Sequence, residues 1–389
     1  DRRLLAVFTV VQLGDVPVTQ SGDAPGTLRQ AVFDANSTSG FDEIVFASDL
    51  QGTILLAEGE LTITESVDIQ GPGARSVTLE AVDPTPEMNN GDGNRVFRID
   101  DGAATKQEVT IRDLTLTGGD VSTGGGAIFS LEHVNIVRSH ITGNSVSSTS
   151  GFLTAGGGLY INDANLVVED STFSNNYAYH DSGVIGGAIA SGAGDVTIRN
   201  STISGNRAQT TFGLSGGSAY GGAVGVGAGT HAFLHTTFAD NRASGGDSFG
   251  GGIFLFGTQH VTALSHTIVG NNTAEFGRDI SSSVDVAADF SLVENSTGWT
   301  LADNGGNLLG VDPVLSDELL DLGGSTPVHM LLPGSPALDA GNPAAVAGTG
   351  DVPIDDQRGK PFGRIADGDG DATATSYIGA VEAQTVAGL

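Results

Sequence analysis

The chain has 389 residues, 59 of them glycine and none cysteine, with 46 acidic against 16 basic side chains and a formal net charge of -30. That charge, with no Lys/Arg cluster as a local exception, argues against phosphate backbones and anionic lipid surfaces as partners. Absent cysteines exclude a disulfide scaffold and a thiolate metal site, no apolar run is long enough to span a bilayer, and 39% hydrophobic residues suffice for a sizeable core.

Residues 1–60 read as an N-terminal strand and capping helix. Leu28, Ala31, Val32 and Ala35 recur at helical spacing, and Thr27 with Gln30 makes a capping box. Short alternating stretches then follow at Leu61–Ile63, Val67–Ile69, Val77–Leu79, Val96–Ile99, Val109–Ile111 and Leu114–Leu116, with a Pro/Asn/Gly-rich inserted loop at Pro84–Asn94.

From 124 to 277 the chain repeats. Gly125-Gly126-Ala127-Ile128, Gly157-Gly158-Leu159-Tyr160, Gly186-Gly187-Ala188-Ile189, Gly221-Gly222-Ala223-Val224 and Gly251-Gly252-Ile253-Phe254 each precede a β-like stretch and a second signature ending in Asn144, Asn176, Asn206, Asn241 and Asn271. These asparagines lie 32, 30, 35 and 30 residues apart, a period that means a solenoid or propeller. Two or three short strands per repeat suit one turn of a β-helix. No proline occurs between Pro86 and Pro313, as continuous ladders of stacked strands require.

The expected fold is therefore all-β, a right-handed parallel β-helix with its body over 61–302, about eight to ten coils at 25 to 30 residues each. The asparagine column is read as a structural ladder and Ile141, Phe173, Ile203, Phe238 and Ile268 as an inward stack. Residues 303–389 hold 7 of the 12 prolines and 13 acidic against 3 basic residues, which marks an irregular acidic C-terminal cap.

The paired glycine and Phe-x-x-Asn motifs, as in Phe173–Asn176 and Phe238–Asn241, resemble the repeats of chlamydial polymorphic outer membrane proteins and the wider set of exported bacterial right-handed parallel β-helix proteins. Gly26–Ala31 with Asp42–Phe46 is similar to the CSLREA-type start of that group, without its cysteine. Leu331–Gly341, Asp356–Gly359 and Ile378–Glu382 resemble its choice-of-anchor-type closing segment, and Asp1–Ala6 looks like the start of planctomycete surface proteins. The resemblance implies an exported protein, extracellular or on the cell surface.

For chemistry, the Asp-Asp pairs at 100–101 and 355–356 lie outside the regular repeats, and Gln107–Gly359 contains no lysine to act as a lyase base. Tyr177, Tyr179 and His180, with Arg207 and Arg242 after successive ladder asparagines, are the candidate ligand-binding residues, on loops that gather along one side of the rod. Asp367, Asp369 and Asp371 at alternate positions, with the Thr373 carbonyl and Glu382, resemble part of an oxygen-rich Ca²⁺ loop, although Ala372 replaces its glycine and Ile378 its terminal glutamate. No catalytic residue is assigned. The function expected is non-catalytic, adhesive or envelope-structural, with carbohydrate or a surface protein as partner. The alternative is a carbohydrate-active enzyme, a Ca²⁺-assisted polysaccharide lyase or a glycoside hydrolase.

Overall fold

In the computed structural model, which describes residues 4–149, 154–211, 217–367 and 374–382, nearly every strand pairs in parallel with the strand one coil later. One coil shows the plan. Leu159–Ile161, Leu166–Glu169, Thr172–Ser174, Tyr177–His180 and Gly183–Ile185 belong to five successive faces, here S1 to S5, before the chain re-enters S1 at Ile189–Ala193. S1 and S2 join into one 18-stranded sheet through the continuous strand Val224–Leu234, while S3 has ten strands, S4 five and S5 four. The result is a parallel β-helix, with the right-handed winding that parallel crossovers take.

Alternation within each short strand builds the core: Val196 and Ile198 point in while Thr197 and Arg199 point out. Two glycine columns make the S5-to-S1 corner. Gly125, Gly156, Gly186, Gly221 and Gly250 hold φ between +61° and +77°, which side chains other than glycine rarely tolerate. At the following residue in each coil, Gly126, Gly157, Gly187, Gly222 and Gly251, a Cβ would come within 2.0–2.4 Å of the next coil's carbonyl oxygen. The first of these columns runs one residue ahead of two of the glycine pairs singled out by sequence.

The rod begins earlier than residue 61. Leu4–Val10 pairs with Phe41–Phe46, which pairs with Val67–Gln70, so the first 60 residues already contribute rungs. The helix Leu28–Asn36 packs on these first rungs and buries Leu28, Ala31, Val32 and Ala35. Thr27 Oγ1 accepts from Gln30 N–H, but the Gln30 side chain accepts from Ala24 N–H and not from Thr27, so the capping box is made on one side only.

At the S3-to-S4 corner the ladder runs through Asn144, Asn176, Asn206, Asn241 and Asn272. Each Oδ1 from Asn176 onward accepts from the preceding asparagine's Nδ2 and backbone N–H at 2.9–3.2 Å. Asn271 is not a rung. The register pairs Phe238 with Val269, placing Asn271 opposite Asp240 in the left-handed turn position, at φ 60° and exposed. The inward stack therefore ends in Val269, and Ile268 faces outward.

Ile268 is buried nonetheless, because the C-terminal segment doubles back along the outer face of S3. Ile268, Ala239 and Leu292 pack there against Leu315, Leu331, Ala337, Tyr377 and Ile378. Gln357 bonds Thr202 and Thr172, and His329 Nε2 bonds Ser204 Oγ at 2.7 Å. Arg364, fully buried, donates to Glu382 at 2.9 Å and to Asn200 at the S2-to-S3 corner. The irregular cap thus seals a flank of the rod.

The ladder ends on a charge. Asn272 Nδ2 donates to Asp279 Oδ1 at 2.9 Å and Asn295 N–H to Oδ2 at 2.6 Å. Burial pushes the Asp279 carboxyl up to about 7, and likewise Asp170 to about 6 and Glu382 to about 8. A carboxyl raised above its unfolded value binds protons more readily in the native state, so its contribution is present at low pH and lost as pH rises through the folded value. Buried His140 and His266, pushed down to about 4, act in the opposite sense only below their ordinary 6.5. The thermal midpoint is therefore expected to fall between pH 6.5 and 8, and Asp279→Asn to reduce that fall, in melts across the range.

Candidate functional site

S4 is the face on which the sequence-derived ligand residues meet. In each S4 strand the first and third residues point out and the second points in. The inward column is Val146, Ala178, Ala208 and Ala243, all buried. The outward columns are Ser145, Tyr177, Arg207 and Arg242, then Ser147, Tyr179, Gln209 and Ser244, aligned rung by rung. Tyr177 and Tyr179 are thus strand residues, not loop residues as the sequence suggested, and the two tyrosines and two arginines share one rigid surface.

Tyr177 and Tyr179 stand side by side with centroids 6.3 Å apart and planes 20° from parallel. The Tyr179 hydroxyl donates to Asp181 at 2.8 Å and bonds Thr211 at 3.0 Å, which fixes its ring. Burial raises the Tyr177 phenol above its usual range, and the Arg207 guanidinium lies 6.0 Å from its ring centroid.

The Pro84–Asn94 loop covers the preceding rungs. Asn90 and Gly91 N–H both donate to Asp120 Oδ2, and Gly91 lies so close that a Cβ would meet the Ser147 carbonyl at 2.4 Å. Its edge and the tyrosine wall bound a cleft of about 520 Å³ lined by Asn89, Asn175, Asn176, Tyr177, Gly205 and Arg207. A second cleft of about 370 Å³ lies farther along S4, lined by Arg242, Ser244, Thr273 and Glu275 among others.

Neither Arg207 nor Arg242 has a carboxylate within 4.0 Å among the described residues, whereas nine other arginines do. Arg207 Nε and Ser244 Oγ are shielded from water and bond nothing. Two adjacent cations and two unused polar atoms therefore border the tyrosine wall.

Other expectations fare differently. His180 is the fourth residue of its strand and turns inward; it is buried, and its Nδ1 accepts from Ser182 and Gly183 N–H, so it lines no outer surface. Of the C-terminal acidic set, Asp369, Asp371 and Thr373 lie outside the described residues, and Asp367 is half-buried. Glu382 is fully buried, its carboxylate held by Arg364 and by Tyr377 N–H.

The structure brings together one acidic group that sequence reading missed. Carboxylate oxygens of Asp83, Asp92 and Asp120 lie within 4.8 Å of one another, a donor set of the kind that suits a hard cation. They already bind the loop: Asp83 accepts from Thr85 N–H, Asp92 from Thr85 Oγ1, and Asp120 from Asn90, Gly91 and Ser145. Burial and the neighbouring Asp120 and Asp92 raise the Asp83 carboxyl. Spacings of 9 and 28 residues across the loop and one coil leave no local signature of this grouping.

No protein-family model matches the chain, and no curated protein matches it. Among solved structures, the crystal structure of pectate lyase Pel9A aligns over 98% of this chain and 97% of that chain, at 13% identity and a TM-score of 0.46.

Proposed function

We propose that this β-helix is a binding protein whose S4 face recognises carbohydrate, acting outside the cell in adhesion or envelope structure. The observation that carries this reading is the outward array of Tyr177, Tyr179, Arg207 and Arg242 beside the cleft edged by Asn89. Near-parallel tyrosine rings present apolar faces of sugar-ring size, and planar polar groups next to them supply directional hydrogen bonds to hydroxyls. A parallel ladder holds all of these side chains without a loop to order on binding, which lowers the entropic cost of recognition.

Binding without cleavage is favoured because, among the described residues, no carboxylate or histidine lies within hydrogen-bond distance of Arg207 or Arg242 to complete an acid-base set. Placement outside the cell rests on the resemblance to exported β-helix proteins. A glycan panel scored for both retention and shortening decides the matter. Retention without shortening is expected, weakened about tenfold by the Tyr177→Ala/Tyr179→Ala pair. A panel with no retained glycan would overturn the proposal, and shortened products would establish the polysaccharide lyase or hydrolase alternative.

A further inference from the structure

The S4 face carries an unbalanced charge, and we infer that it selects glycans bearing an isolated carboxylate, held by Arg207 and Arg242. This rests on the carbohydrate reading of the same face. The two arginines are register partners on adjacent parallel strands, so their backbones stand about 4.8 Å apart. Like charges directly opposed across a ladder repel one another. In a chain with 46 acidic residues, nine described arginines have a carboxylate within ion-pair distance, yet this adjacent pair has none.

Unused polar atoms point the same way. Arg207 Nε and Ser244 Oγ are shielded and bond nothing, and Ser244, 5% exposed, lines the same cleft as Arg242. A buried polar atom without a partner is costly. A carboxylate lodged between the guanidiniums accepts charge-assisted bonds from both, offers an acceptor to the hydroxyl, and removes the repulsion.

The rest of the molecule sets the charge density of the ligand. Glu275 lines the far side of the Arg242 cleft, and a net charge of -30 repels a polymer ionised at every sugar. The fitting ligand is a largely neutral glycan with a single acidic sugar at this site.

The test uses two hexasaccharides that each carry one uronic acid on an otherwise neutral backbone, a glucuronoxylan fragment and an arabinogalactan fragment, each paired with its carboxyl-reduced form and titrated calorimetrically into the full chain. In at least one pair the acidic form is expected to bind about tenfold tighter or more. Arg207→Gln/Arg242→Gln is expected to abolish that preference and to leave the thermal midpoint unchanged or higher because the repulsion is gone. No acidic preference in either pair overturns the inference, and so does a preference that survives the double substitution. The carbohydrate reading stands or falls separately, on whether any glycan of the wider panel is retained.

Discussion

Asn206→Ala is expected to lower stability by about 3–5 kcal/mol, read as a drop in the urea midpoint, because it removes the central rung of a buried amide ladder. Asn206 Oδ1 accepts from Asn176 N–H and Nδ2, and its own Nδ2 donates to Asn241 Oδ1, Phe173 O and Ser204 O. Alanine leaves the Asn176 N–H and the Phe173 carbonyl buried without those partners, at about 1–3 kcal/mol for each orphaned group. Asn271→Gly is the matched control. Asn271 occupies a left-handed, exposed turn position that glycine takes without strain, so its midpoint is expected to stay within about 1 kcal/mol of the wild type. Equal losses in the two variants would contradict the register that puts Asn272 in the ladder.

Arg364→Leu is expected to release the C-terminal segment from S3 while the rod persists. Arg364 is fully buried and donates to Gly379 O, Ala380 O, Glu382 and Asn200. Above about pH 8, where Glu382 is ionised, loss of Arg364 leaves Glu382 buried and, among the described residues, bonded only by the Tyr377 N–H, and stranding one partner of a buried ion pair costs about 3–5 kcal/mol. Residues 313–367 should then exchange amide hydrogens and admit protease far faster, with little change in far-ultraviolet circular dichroism. Arg364→Leu/Glu382→Leu is expected to recover most of the loss, since a paired replacement leaves no uncompensated charge. A double variant as labile as the single would locate the anchoring elsewhere, in Gln357 or His329.

Much of this architecture was legible in short stretches of chain. The 30- to 35-residue period, the glycine corners and strands such as Val196–Arg199 report local backbone demands that every coil must meet, so each coil repeats the message. The register at 267–272 was not legible, because Ile268 and Val269 are both apolar and only the bulk of the C-terminal segment decides which one faces out. Nor was the turn of His180, since a histidine as the fourth residue of its strand reads the same whether it points to water or to the core.

The candidate site divides in the same way. Tyr177, Arg207 and Arg242 could be singled out because each follows a ladder asparagine directly, and a common offset from a repeated residue places side chains in one column. That both arginines lack acidic partners could not be read, because partners in a solenoid are separated by whole coils, as Arg138 is from Asp113 by 25 residues.

The sequence by itself determined the coil, its corners and its ladder, since these arise from interactions repeated at a fixed period. Only the tertiary structure decided which flank is sealed and which is left open. That choice rests on single contacts between residues far apart in the chain, such as Gln357 with Thr202, 155 residues away, and a contact made once leaves no periodic trace in the chain.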